Sequence, residues 1–315
     1  MKKILLSLLG LALFLFIVLS IGLDKIIESL MAINPAMFLA VFVPLAVSVF
    51  LKGIKQRMIL SPFKEGTSLF ENTKIWLVGF FFGTASPAKS GDTVRALYLR
   101  NNFGISLGEG LAVVFVERIL DIALLFAFAF MGLFLLVLPA QADQGILFPL
   151  VVFFVLFAAA LLLLLKKNLL KIVVKPFFNM FAPEKFKQSL KEGFNDFYKA
   201  ISVYKSKRRH SLGVGLLTVL SWFVVFVQMY VTALALSINV PFLMFVSVVP
   251  VIILVEALPI SISGLGTREL ASVGMLGLLG IMPALAISFS ITVLVFNLIA
   301  ATAGFLIFNS MKKPI

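Results

Sequence analysis

The 315-residue chain contains no cysteine, which excludes disulfides, thiolate nucleophiles and cysteine-ligated metals. It has a single histidine, His210, directly after Lys207-Arg208-Arg209. A solvated place at a membrane interface accounts for it, and a switch role would rest only on its titration near neutral pH. Charge is scarce: Asp, Glu, Lys and Arg make up 13% of the residues, against about 25% in a soluble domain. Acidic residues are scarcer than basic ones, 14 against 27, for a net charge of +13. HExxH, Walker, GxGxxG, DxD and GxSxG patterns are all missing, so nucleotide-driven transport and the familiar hydrolase and glycosyl-transfer chemistries lack their residues. Neither a cofactor nor a metal site is expected.

What is abundant is apolar surface. Hydrophobic residues reach 61% and the mean hydropathy is +1.13, the composition of an integral membrane protein. No soluble-length segment with its own apolar and polar alternation is present, so residues 1–315 read as one transmembrane domain of an all-α polytopic membrane protein. A span needs about 20 apolar residues to cross about 30 Å of hydrocarbon. That measure predicts six full spans, over 4–23, 35–51, 111–138, 146–165, 212–236 and 284–309. The first is too long for a signal-peptide core and no small-x-small cleavage site follows it before Asp24, so it is expected to be retained.

The basic residues fall between these runs. Lys2, Lys3, Lys52, Lys55, Arg57, Lys64, the stretch 166–210 and Lys312 and Lys313 all map to one face, which the positive-inside rule makes cytoplasmic, with both termini. The loops assigned to the other face, 24–28, 139–145 and 237–241, hold only Lys25. An anionic lipid surface, rather than nucleic acid, is the partner this charge implies, and the location is a cell membrane. Within 166–210, Phe186, Leu190, Phe194, Phe197, Ile201 and Tyr204 recur at helical spacing opposite lysines, the pattern of an amphipathic helix in the headgroup plane or of a docking segment for a soluble partner.

Two short polar breaks stand out: Thr84-Ala85-Ser86-Pro87-Ala88-Lys89-Ser90-Gly91-Asp92 and Ser261-Ile262-Ser263-Gly264-Leu265-Gly266-Thr267-Arg268-Glu269. Irregular polar backbone at membrane depth is tolerated only where protein or a water-filled cavity surrounds it. Residues 75–82 with 93–99 read as a re-entrant hairpin around the first break. Residues 242–260 with 270–281 form a second candidate, whose first arm is long enough to span or to re-enter. With opposite orientations, the units 35–138 and 212–309 become inverted repeats, the arrangement that marks a midplane binding site in transporters.

Candidate site residues follow from these breaks. Pro87, Gly91, Pro259, Gly264 and Gly266 would turn the hairpins. Ser90 or Asp92 would cap the helix after the first break, with Lys89 and Arg95 beside its N-terminus as a place for phosphate or carboxylate; a plain basic turn is the alternative. At the second break Thr267 would cap a helix carrying Arg268 and Glu269, with Glu256 just upstream. Glu117, Arg118 and Asp121 sit inside an apolar span, where each ionisable group costs at least about 2.5–3.5 kcal/mol at the centre of an isolated helix. They either lock helices together or line a polar path. Trp76, Trp222 and Tyr230 read as packing residues or interface anchors.

The run Pro87-Ala88-Lys89-Ser90-Gly91-Asp92-Thr93-Val94-Arg95, the Glu117-Arg118…Asp121 triplet and Pro259…Gly264-Leu265-Gly266-Thr267-Arg268-Glu269 resemble the lysylphosphatidylglycerol synthase transmembrane-region family, also called the flippase-like domain. The likeness covers nearly the whole chain, although the second turn is a divergent Pro-Ile-Ser-Ile-Ser-Gly. The resemblance implies movement of an anionic or aminoacylated phospholipid, or a polyprenyl-phosphate-type lipid, between leaflets. It also implies a lipid made by another protein, since the soluble aminoacyl-transferase part of two-part members has no counterpart before Ile315. Lys89, Arg95, Arg118 and Arg268 would hold the headgroup phosphate; Glu117, Asp121 and Glu269 would pair with them or bind a headgroup cation, and Ser90 and Asp92 would complete the substrate-binding set. A membrane subunit of a lipid or glycolipid synthesis enzyme, docking a soluble transferase, and a secondary transporter of a small anion remain the alternatives.

Overall fold

The structure, a computed structural model, describes residues 2–137, 155, 199–204, 208–258, 261 and 263–311. Among these residues there are helices, turns and bends but no strand. Helix α1 (Lys2–Ile21) stops at Gly22, whose φ of 101° suits glycine alone, and α2 (Leu23–Met31) leaves it at 85°. Residues 24–28, predicted as a loop, are therefore helical.

The run predicted over 35–51 is longer than its apolar window. Asn34 opens α3 (Pro35–Ala40) by accepting from Met37 N at 3.1 Å, and the chain passes through Val41 into α4 (Phe42–Leu60). Lys52 and Lys55 are thus buried helical residues rather than loop cations, which removes them from the positive-inside argument. The helix continues past Leu51 because carboxylates on another helix neutralise both ammonium groups. Arg57 and Lys64 remain exposed.

After a turn, α5 (Leu69–Thr84) extends the predicted arm at both ends, starting where Ser68 accepts from Glu71 N. A 3-10 segment (Pro87–Val94) runs without a gap into α6 (Arg95–Phe103). Ser106 and Glu109 cap each other's backbone amides, at 3.2 and 2.7 Å, and start α7 (Leu107–Val137) ahead of the predicted residue 111. The predicted span 146–165 lies outside the described residues apart from helical residue 155, as does most of 166–210. Of that segment, 199–204 are helical, and Tyr204 donates to Ile59 O at 2.7 Å, fastening it to the end of α4. Helices α8 (Arg208–Ala235), α9 (Phe242–Glu256), α10 (Thr267–Gly277) and α11 (Pro283–Ser310) complete the described chain.

Among the described residues, three helical runs are long and apolar enough to cross a membrane, Pro35–Leu60, Arg209–Ala235 and Pro283–Ser310, and the bent pair formed by α1 and α2 makes a fourth if it counts as one span. At 26, 27 and 28 residues they reach about 39–42 Å, more than the ~30 Å hydrocarbon layer. By contrast α5, of 16 residues, and α9, of 15, extend only about 22–24 Å. Helix α9 ends at Glu256, four residues before the predicted end of its arm, so by length it falls short of a full crossing.

The short helices pack on distant long ones, α5 on α11 and α9 on α7. Glycine permits both approaches: a Cβ on Gly132 of α7 would lie 2.5 Å from Ser247 Cα, and one on Gly304 of α11 would lie 2.9 Å from the Leu77 carbonyl carbon. Backbones meet this closely in membrane bundles where the residue between them is small. Apolar side chains such as Phe226, Phe245, Ile252 and Phe289 fill one core, and Ile59, Ile75, Val78 and Val113 another.

Candidate functional site

Among the described residues, the ionisable side chains inside the bundle fall mainly into two groups. The first joins α4, the 3-10 segment, α6 and α7. Arg95, fully buried, is its hub: NH1 donates to Glu117 Oε2 at 2.6 Å and Gln56 Oε1 at 3.1 Å, and NH2 donates to Asp92 Oδ2 at 2.8 Å. Its Nε lies 2.8 Å from Asp92 Oδ1 as an ion-pair contact without hydrogen-bond alignment. Lys55 Nζ reaches Asp121 Oδ1 at 2.5 Å and Glu117 Oε1 at 3.6 Å, and Lys52 reaches Asp121 Oδ2 at 3.3 Å. Arg118 closes the group by donating to Asp92. Four cations thus face three carboxylates, and the surplus +1 resides at the margin, since the Arg118 side chain is 36% exposed while Arg95 and Lys55 are sealed in.

Both tryptophans of the chain serve this group. Trp76 Nε1 donates to Glu117 at 3.2 Å and Trp222 Nε1 donates to Asp121 at 2.8 Å, while Lys52 lies 4.6 Å over the Trp222 ring. Beyond the expected packing or anchoring, both indoles thus hydrogen-bond buried carboxylates. Space for the hub comes from Gly79, where a Cβ would fall 2.6 Å from Asp92 Oδ1 and closer still to the Arg95 stem.

The first break does not make the predicted helix N-terminus. Because the 3-10 turns lead straight into α6, that helix has no free start, and neither Ser90 nor Asp92 caps it; Asp92 is committed to Arg95 and Arg118. Pro87 opens the 3-10 segment, where a missing N–H costs nothing. Gly91 is needed for room rather than rotation, since a Cβ would come within 2.6 Å of the Phe82 carbonyl carbon. Its amide donates to Ser86 Oγ at 2.7 Å.

The second group forms at the other break. Gly264 and Gly266 have φ values of 69° and 82°, while Pro259 lies outside the described residues. Thr267 does not cap α10 but bonds back to Gly264 O at 3.1 Å, and Glu269 takes the capping role by accepting from Gly266 N at 2.6 Å. Arg268 and Glu269, 1% and 0% exposed, pair at 2.7 Å, and Ser290 of α11 bridges them, accepting from Arg268 Nε at 2.7 Å and donating to Glu269 Oε1 at 2.8 Å. Arg268 NH1 has no partner. Helix α1 seats this turn: a Cβ on Gly10 would stand 2.8 Å from Ser261 Cβ.

The two breaks meet. Lys89 reaches across to Glu256 Oε1 at 3.2 Å, and Ser263 Oγ donates to Thr84 O. Lys89 and Ser263 hold left-handed φ values, 53° and 54°, that non-glycine residues adopt at a cost of about 1–3 kcal/mol each. Between the tips is a narrow, partly open crevice walled by Thr84, Lys89, Glu256, Ser263, Arg268 and Asn297. Of the predicted headgroup residues, Lys89 and Arg268 share this crevice with Glu256; Arg95, Glu117, Arg118 and Asp121 belong to the first group. Sequence reading passed over Lys52, Lys55, Gln56 and Ser290. The lysines' spacing of three at the end of an apolar run was the available signal; nothing in sequence marked Gln56 or Ser290.

A family model described as the lysylphosphatidylglycerol synthase transmembrane region matches residues 3–304. UPF0104 membrane protein MJ1595 of Methanocaldococcus jannaschii is 26% identical over 279 residues, covering 84% of this chain and 82% of that protein. No solved structure matches.

Proposed function

Starting from the fact that the chain belongs to the lysylphosphatidylglycerol synthase transmembrane-region family, we propose that it is a lipid translocase, moving a phospholipid between leaflets past the crevice where its two polar breaks meet. The observation that carries this reading is the contact between the tips: half-length helices bring Lys89, Glu256 and Arg268 together within the helix bundle. Charged groups at such depth are costly and normally face a substrate path.

In this reading α5 and α9 are re-entrant arms, and the units 35–138 and 212–309 are inverted copies. The reciprocal packing of α5 on α11 and α9 on α7, each through a glycine of the long helix, supports that pairing. Lys89 and Arg268 meet the headgroup, with Ser90 at the rim of the first tip. Arg118 draws anionic lipid toward the path. Arg95, Asp92, Glu117 and Asp121 hold the frame that positions the first tip, and Glu269 orients Arg268. The chain sits in a cell membrane with cytoplasmic termini, and the lipid it carries is an anionic or aminoacylated phospholipid or a polyprenyl-phosphate-type lipid.

The test is a flipping assay on the full chain in vesicles with tail-labelled lipids. Wild type should move at least one lipid faster than empty vesicles, and Arg268→Gln should slow that movement. Equal rates for wild type, the variant and empty vesicles defeat the proposal.

A further inference from the structure

The gap between the tips is closed to anything larger than water, and the inference drawn from this rests on the translocase reading above. Its walls stand so close that there is room for about one water molecule. A phosphate is larger, so no headgroup passes between the tips while they touch. Either the route lies elsewhere or the contact opens.

Among the described residues, two bonds cross the gap: Lys89 to Glu256, and Ser263 to the Thr84 carbonyl. Little helix packing backs them. Helix α5 packs mainly on α11, the 3-10 segment and α4, and α9 mainly on α7 and α10. Each tip is instead fastened on its own side. Asp92 ties the first to Arg95 and Arg118, while Glu269 and Ser290 hold the turn of the second. Glu256 lies over Gly264 of that same turn, where a Cβ would stand 3.2 Å from the Glu256 Cα. The tips can therefore separate without unpacking either arm.

The residues that reach across the gap also carry strained backbone. Among the described residues, the non-glycine positions with left-handed φ are Lys89, Ser237 and Ser263, and two of these three make the crossing bonds. Such a conformation persists only where its surroundings hold it, and it collects at switch regions. On separation, relaxation of Lys89 and Ser263 offsets the bonds lost, and the Lys89 ammonium, on a side chain already 27% exposed, passes to water. Both effects lower the cost of parting.

We propose that the two tips form a gate, shut here by Lys89 on Glu256 and by Ser263 on the Thr84 carbonyl, and that a headgroup passes only when both contacts break. The bonds are then a latch between two separately supported hairpins rather than a fixed joint in the bundle.

The test uses the full chain in vesicles with tail-labelled lipid, carrying Thr84→Cys and Ser263→Cys as its only thiols. A short bis-methanethiosulfonate joins the two and a reductant releases them, so one protein is its own control. Joining should bring lipid movement down to the rate of empty vesicles, and reduction should restore it. Equal movement before and after reduction, in protein shown by mass spectrometry to be joined, overturns the gate and leaves the translocase reading standing. A second readout needs no lipid movement. Asn297→Cys, a thiol in the wall of the gap, should react with neutral methyl methanethiosulfonate about tenfold faster when Glu256→Gln is added, the factor that loss of one charge-assisted hydrogen bond gives. Glutamine has the shape of glutamate, so the substitution itself makes no space. If no lipid moves in either form, the translocase reading fails and the thiol decides the gate alone: faster reaction in the Glu256→Gln background supports it, and an unchanged rate overturns it.

Discussion

Replacing Arg95 with methionine removes the hub of the first charge group while keeping a side chain of similar reach. Two carboxylates lose their main partner: Asp92 is left with Arg118, and Glu117 with Lys55 at 3.6 Å and the Trp76 indole. Both residues are 2% exposed, so water cannot take over. Breaking a buried pair from one side costs about 3–5 kcal/mol, because a charge is stranded. Adding Glu117→Gln removes one stranded charge, so the double variant should cost about 1–3 kcal/mol less than the sum of the two single variants. The chain carries its own reporter, since its only tryptophans, Trp76 and Trp222, both donate to carboxylates of this group. Unfolding by SDS in mixed micelles, followed by indole emission, measures all three variants. A loss below about 1 kcal/mol for Arg95→Met, the worth of an exposed ion pair, or additivity in the double variant, would refute the buried network.

Three further outcomes follow from the packing. Gly79→Ala drives a Cβ into Asp92 and Arg95 and should destabilise by about 1–3 kcal/mol in the same titration, whereas Gly274→Ala, with open space around it inside α10, should be neutral or stabilise by up to about 1 kcal/mol; equal effects would show that the hub is not tightly enclosed. Ser290→Ala leaves Arg268 Nε without an acceptor and should cost about 1–3 kcal/mol, with Ser290→Thr recovering part of it; a loss of only a few tenths of a kcal/mol would mean that water reaches the guanidinium. Helices α4 and α8 run antiparallel, with Met58 beside Gly213 and Asn34 N bonded to Ala235 O at 2.8 Å, so Ser61 and Ser237 lie at opposite ends. In this cysteine-free chain an impermeant thiol reagent should label Ser61→Cys only from the cytoplasm and Ser237→Cys only from outside; labelling from one side alone contradicts the membrane reading.

Much of this was legible in the order of residues. Among the described residues, apolar runs located most of the helices, and Gly264 and Gly266 stand where the backbone takes a left-handed turn. The breaks drew attention because glycine, proline and charge interrupt hydrophobic sequence. Ends were less legible: α4 continues nine residues past its apolar window, because hydropathy scores Lys52 and Lys55 as though in water, whereas each has a carboxylate partner. Caps were misassigned for a related reason. Asp92 and Thr267 have the right chemistry to cap, but the arginines and the Gly264 carbonyl claim them first.

Sequence by itself determined that this chain belongs in a membrane and where its helices are interrupted, since both depend on the transfer energy and backbone freedom of consecutive residues. Only the tertiary structure decided which charges neutralise one another. Lys55 meets Asp121 across 66 positions and Ser263 meets Thr84 across 179, and electrostatic energy follows distance in space, not separation along the chain. The fold therefore sorted the cations, sealing Arg95 among acids and holding Arg268 between Ser290 and Glu269 beside the gap between the breaks.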